Sequence, residues 1–240
     1  MEHAAMKVLV VDVGGTNIKA SIGGKGDVIK IPSGPDMTAT RMADEVKKAV
    51  AGQDYDVVSI GYPGPVVNGR PAVEPHNLGA GWMRFDYKKA FGKPVKVVND
   101  AAMQALGSYQ GGRMLYLGLG TGLGSAFVGD GALEPLELAH LPYRKNRTYE
   151  DYLGLRGLKR MGRKRWQRHV ENVVELLKHG LQADYVMLGG GNTKKLTSVP
   201  RGVRLGTNAH AILGGLRLWN ADESAPQVSA SPRGGAEKPS

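Results

Sequence analysis

One pattern occurs twice in this chain. LVVDVGGTNIKASIGG (residues 9–24) lies over LYLGLGTGLGSAFVGD (residues 115–130) without a gap, at an offset of 106. Leu9 falls on Leu115, Gly14 on Gly120, Ala20 on Ala126 and Gly23 on Gly129. Each copy reads as a buried apolar strand, a turn of small residues with a threonine, and a second strand. A duplication of this kind implies two similar lobes, each offering a glycine-hydroxyl turn. By itself VVDVGGTNIK admits two readings. One is an ordinary hairpin with an acid near its tip. The other is a phosphate loop: small residues let backbone N–H groups approach an anion, a hydroxyl adds a donor, and a nearby acid can hold a metal. Two such turns facing across a cleft would clamp one phosphate chain from both sides.

The familiar nucleotide loops do not fit. GLGTGLGS satisfies G-x-G-x-x-G in no register, and a strand rather than a helix follows it. No G-x-x-x-x-G-K-[ST] occurs. The rest of the chain alternates. Strands are expected at 7–13, 18–23, 27–31, 57–61, 95–98, 114–119, 124–129 and 185–189, and helices at 37–51, 101–109, 150–161, 162–180 and 208–219. In the first helix Met42, Val46 and Val50 recur every four residues, with Asp36 as N-cap. Hairpins followed by alternating strands and helices point to α/β layers.

With 240 residues, the chain can bury a substantial core. No apolar run approaches the ~18 residues of a membrane helix, and the N-terminus does not read as a signal peptide. There is no cysteine, which removes disulfides and thiolate metal sites and suggests a cytoplasmic setting. The net charge of +10 attracts polyanions in general. Ten of the cations lie between Arg144 and Arg168, against Glu150 and Asp151 alone. The bland reading of that run is a solvated helix face. Trp166 is its one tryptophan, thin support for a base-stacking surface, so no nucleic-acid partner is expected. The stretch after residue 220 lacks an apolar period and reads as a disordered tail, 221–240.

DVGGTNIKA, VVNDAAMQA, GLGTGLGSA, ELAH and LGGGNTKKL, in that order, resemble the ROK family of bacterial sugar kinases. GYPGPVVNGRPAVEPHNLGAGW is most similar to its polyphosphate-glucokinase branch, and the resemblance spans roughly residues 7 to 219. It implies an α/β, actin-like ATPase (ribonuclease H-like) fold, with two lobes and a duplicated core around a cleft. The N-terminal lobe would be 1–99, completed by a C-terminal helix at 208–220, and the C-terminal lobe 100–207. By the same resemblance Asp12 helps position Mg²⁺. Gly14, Gly15, Thr16 and Lys19 form the first phosphate loop, and Gly120, Thr121 and Gly122 the second. Gly189, Gly190 and Gly191 match the adenosine-side turn, with Asn192 following.

On the acceptor side, VKVVNDAA sets Asn99 and Asp100 between a strand and a helix. The dipeptide alone favours Asp100 as a helix N-cap. The resemblance makes Asp100 the general base, which takes the sugar hydroxyl's proton as phosphoryl arrives, and makes Asn99 a sugar ligand. Glu137 and His140 match the family's sugar-binding pair, Glu150 its last sugar-contacting glutamate, and Asn77 the asparagine of N-L-G-x-x-W. Trp82 reads as core, and the other histidines have no special company. The family's cysteine-rich zinc site is missing between Glu137 and Glu150, so no structural zinc is expected.

The implied activity is phosphorylation of a hexose, glucose or a close relative, on its terminal hydroxyl by ATP or inorganic polyphosphate with Mg²⁺. The rivals are a kinase of an N-acetylated hexose and a non-catalytic sugar-binding regulator. Hexose and donor are the expected partners, a homodimer is a possible assembly, and no membrane is involved.

Overall fold

A computed structural model of the chain describes residues 6–24, 28–207, 209–219 and 226–228. Along the N-terminal half run β1 (Val8–Val13), β2 (Asn17–Ile22), β3 (Ile29–Pro32), α1 (Ala39–Ala49), β4 (Val57–Tyr62), the small hairpin β5 (Val66–Val67) and β6 (Arg70–Pro71), α2 (Tyr87–Phe91) and β7 (Val95–Asn99). Next come α3 (Asp100–Ser108), β8 (Met114–Leu119), β9 (Leu123–Gly129), β10 (Ala132–Leu136), and the hairpin β11 (Pro142–Arg144) with β12 (Arg147–Thr148). The last elements are α4 (Tyr149–Leu153), α5 (Leu155–Met161), α6 (Arg163–Gly180), β13 (Tyr185–Gly189), β14 (Val203–Leu205), α7 (Ala209–Arg217) and β15 (Gln227–Val228).

The first sheet has the order β3-β2-β1-β4-β7 and the second β14-β13-β8-β9-β10-β15. Both contain an antiparallel three-strand meander whose first strand carries two further strands parallel to it. This is the duplication read from the sequence, with one correction. In the first hairpin Val13 pairs with Ile18 and Leu9 with Ile22, whereas in the second Leu119 pairs with Leu123 and Leu115 with Phe127. The second turn is one residue shorter, so the gapless offset of 106 holds before the turn and slips by one after it. Gly14 N–H closes on the Asn17 carbonyl at 3.2 Å, but Gly120 N–H closes on Gly122 at 3.1 Å.

Packing follows the alternation of each strand. On β1, Leu9, Val11 and Val13 face a core built with Met42 and Val46 of α1, while Val8 and Val10 face Met103 of α3 and Ala211 and Ile212 of α7. On the second sheet, Leu115 and Leu117 face Trp166, Val170 and Val173 of α6, and Met114 and Tyr116 face α3. Helices α3 and α7 therefore lie between the two sheets. They cross closely because Gly107 and Gly214 lack side chains: a Cβ at Gly107 would overlap the His210 carbonyl, and one at Gly214 the Met103 carbonyl. Trp82 is fully buried in the first core.

Several local expectations change. The N-cap of α1 is Thr38, whose side chain accepts from Arg41 N–H at 3.2 Å, not Asp36. The single helix expected over 150–161 breaks at Gly154, where ψ is 174°. A Cβ there would stand 2.9 Å from both the Glu150 and Thr121 carbonyls. Strands β10 and β14 lacked a sequence signal; one contains Pro135 and the other is three residues long. Most of the expected tail at 221–240 lies outside the described residues, but Gln227 and Val228 pair with β10 as β15.

Candidate active site

The first glycine turn follows β1 directly. Ser33 ties it down from the end of β3: Ser33 Oγ donates to the Gly14 carbonyl at 2.6 Å and Ser33 N–H to the Thr16 carbonyl at 3.0 Å. Gly15 and Thr16 are left exposed. The Asn77 side chain lies beside them, 3.3 Å from where a Cβ of Gly15 would stand. Asp12 is buried near the end of β1. Lys19 is not in the turn. It is the third residue of β2, opposite Asp12 in register, and its Nζ lies 2.9 Å from Asp12 Oδ2.

The second turn is held by three elements. The Gly120 carbonyl accepts from Asn192 Nδ2 at 2.7 Å and from Leu155 N–H, the first residue of α5, at 3.2 Å. Leu123 N–H donates to Glu150 Oε2 at 3.3 Å. Beside it the end of β13 enters the turn Gly189, Gly190 and Gly191. Gly190 has φ +86°, and a Cβ there would strike the Leu119 backbone, so glycine is required on both counts. Asn192 thus links the third glycine turn to the second.

Between these turns lies the acidic cluster. Asn99, not Asp100, caps α3: its Oδ1 accepts from Ala102 N–H at 3.0 Å, while its Nδ2 donates to the Gly64 carbonyl at 3.1 Å. Asp100 is the first residue of the helix, and its Oδ1 accepts from Ala101 N–H at 2.8 Å. The cap is on the neighbouring residue, so Asp100 is released for another role. Loss of hydration, then the negative charge of Asp12, pushes its carboxyl up to about 7; the Ala101 hydrogen bond opposes and Glu137 adds a further upward push. Glu137 is raised as well, by lost hydration and by Glu150, with His140 working against it. His140 Nε2 stands 3.8 Å from Glu137 Oε2. Mutual repulsion therefore ties Asp12, Asp100, Glu137 and Glu150 into one electrostatic group.

Some participants were invisible in the sequence. Arg156 Nη2 lies 3.6 Å from Glu150 Oε1; inside the basic run it read as one anonymous cation. Tyr116, buried between α3 and the sheet, donates to Gln104 Oε1 at 2.7 Å and fills the space beneath Gly189. His169 does have company: its Nδ1 is 3.2 Å from the Tyr143 hydroxyl, and its ring packs on Tyr152 at 4.6 Å. Trp166 is fully buried, its indole N–H on the Leu153 carbonyl, and offers no stacking face. Among the described residues no cluster of three or more His, Asp or Glu side chains could hold a metal. A buried carboxylate at the start of a backbone-lined turn, Asp12, nevertheless suits a hard cation that keeps waters and takes other oxygens from a phosphate chain. Among the described residues no helix is long and apolar enough to cross a membrane.

The family model described as ROK family matches residues 8–134. Polyphosphate glucokinase of Mycobacterium tuberculosis (strain CDC 1551 / Oshkosh) is 27% identical over 213 residues, covering 77% of each chain. Glucokinase of Pyrobaculum calidifontis is 31% identical over 137 residues, 53% of this chain and 45% of its own. Among solved structures, the inorganic polyphosphate/ATP-glucomannokinase of Arthrobacter sp. strain KM superposes with a TM-score of 0.71 at 24% identity, over 88% of this chain and 97% of its own. That likeness carries the fold: actin-like, with two sheets and a duplicated core.

Proposed function

The chain belongs to the ROK family, and from that premise we propose that it phosphorylates a hexose, glucose or a close relative, on its terminal hydroxyl. The observation that carries the mechanism is Asp100, a carboxylate at the start of α3 whose affinity for a proton is raised to about neutrality. A base of that strength can take the hydroxyl proton late, as the attacking oxygen turns acidic. The sugar oxygen then bonds to phosphorus, the bond to the donor's leaving oxygen breaks, and the proton rests on Asp100. Asn99, Glu137, His140, Glu150 and Asn77 are read as sugar contacts. Asn99 has an amide hydrogen left after its two backbone bonds.

The glycine turns at 14–16 and 120–122 are read as the clamp on the transferring phosphates, offering backbone N–H groups to the charge that develops. Lys19 sets its own ammonium below the first turn, where it donates to Asp12 Oδ2 at 2.9 Å. Asp12 would hold a divalent metal, Mg²⁺ in this reading, which supplies charge neutralisation on the phosphate oxygens. Gly189, Gly190, Gly191 and Asn192 are read as the nucleoside side. The mycobacterial relative's name supports polyphosphate as a donor beside ATP, and so does the charge pattern. Lys164 and Arg165 stand in the first turn of α6, where a helix dipole disfavours cations and no acid is present. Arg163 bonds to the Lys195 and Leu196 carbonyls, bringing that turn against Lys194 and Lys195. Local stability does not account for such a band, whereas a polyanion entering near Gly120 does. A coupled assay over a panel of sugars, with ATP and polyphosphate compared, tests the reading; no turnover of any hexose with either donor would reject it.

A further inference from the structure

Gln167 is a polar side chain in the second core, only 8% exposed, with no part in the chemistry described above. Its amide uses every position it has. Oε1 accepts from Thr197 N–H at 2.7 Å and from the Thr197 hydroxyl at 2.5 Å. Nε2 donates to Ser198 Oγ at 2.7 Å and to Glu171 Oε1 at 2.9 Å. An amide with four bonds is fixed in one orientation, and a shift of the segment it holds would break bonds made by a largely buried side chain. Arg163 stands one helical turn before Gln167 on the same face of α6. Its guanidinium donates from Nε to the Lys195 carbonyl and from Nη2 to the Leu196 carbonyl at 3.3 Å.

These bonds grip residues 195–198, the exit of the short 3₁₀ turn Gly191–Lys195. The entrance is held separately, by Asn192 on the Gly120 carbonyl and by the Thr193 hydroxyl on the Gly190 carbonyl at 2.8 Å. The turn is therefore suspended between α6 at one end and the second phosphate loop at the other. Its distance from that loop fixes where a nucleoside can sit relative to the phosphates of the same molecule. An inorganic polyphosphate has no nucleoside and makes no such demand.

We propose that Gln167 and Arg163 are positioning residues that set this enzyme's affinity for a nucleotide donor, and that Gln167, which carries no charge, does so without changing its affinity for an inorganic phosphate chain. The inference rests on reading 189–192 as the nucleoside side. Losing one or two of these hydrogen bonds corresponds to roughly threefold to tenfold in affinity.

The test is calorimetric binding of ADP, inorganic tripolyphosphate and glucose to Gln167→Leu, Arg163→Ala and Asn192→Ala, with KM for ATP alongside. ADP affinity and ATP KM are expected to worsen by that factor in the first two variants, with glucose binding unchanged in both and tripolyphosphate binding unchanged in Gln167→Leu. Arg163→Lys, which keeps one donor, should recover part of the loss. Arg163 is exposed, so its variants keep the test open if Gln167→Leu does not fold. Unchanged ADP binding in both α6 variants, with Asn192→Ala weakened, would overturn the positioning role. Equal losses for ADP, tripolyphosphate and glucose would also overturn it, marking a general structural defect. If Asn192→Ala leaves ADP binding intact too, the nucleoside-side reading of the turn fails, and the inference fails with it.

Discussion

Replacing Asp100 with asparagine should abolish most of the activity and stabilise the protein. The carboxyl has its ordinary value of 3.8 when unfolded and about 7 in the fold. Between those two values the native state holds a proton that the unfolded chain has released. Stability therefore falls as pH rises from about 4 to about 7 and then levels off. The gap corresponds to a ceiling of about 4 kcal/mol at alkaline pH. Part of Asp100 stays open to solvent, which screens the effect. The opposing bond from Ala101 N–H at the helix N-terminus already enters the value of about 7 and costs nothing further. A net gain of about 1–2 kcal/mol remains above pH 8, shrinking to nothing near pH 4.5. Urea unfolding of both proteins across this range, with chelator present so that no metal changes the local charge, measures it. Turnover should drop by about 10²–10⁴, the usual scale for a general base, with sugar affinity nearly retained. A stability difference that is the same at pH 4.5 and pH 8 would refute the electrostatic account. Near wild-type turnover would refute the base.

Three further outcomes are expected. Gly120→Val meets open space, whereas a Cβ at Gly14 stands 2.7 Å from the Asn17 carbonyl; Gly120→Val should thus keep its melting temperature and sugar binding while raising donor KM or losing activity, and unchanged donor kinetics would remove that turn from the phosphate site. Two sheets separated by α3 and α7 around a cleft should close on sugar to exclude water; small-angle scattering should show compaction, and none in a protein that calorimetry shows to bind sugar would reject closure. Reversing Lys164, Lys194 and Lys195 to glutamate, with Arg163 left in place for its structural bonds, should raise polyphosphate KM far more than ATP KM and flatten its salt dependence; equal losses for both donors would return the band to a solvated face.

The sequence by itself determined whatever depends on neighbours along the chain. The unbroken, β-branched apolar run in VLVVDV made a strand buried on both faces; the glycines after it made a turn, and the second copy made a second lobe. The strand-to-helix junction carrying Asn99 and Asp100 was legible for the same reason. What the chain could not disclose were choices made between distant segments. The shorter second turn, the return of Lys19 to Asp12, and the break at Gly154 each depend on a partner that no periodicity reveals. So do the crossing of Gly107 with His210 of α7, and the grip of Arg163 and Gln167 on residues 195–198. Cations and amides look alike in a sequence whether they face solvent or fill a buried gap. Only the tertiary structure, by bringing particular carbonyls within reach, decided that Arg163 holds a turn, that Arg156 meets Glu150, and that Asn99 caps the helix and frees Asp100.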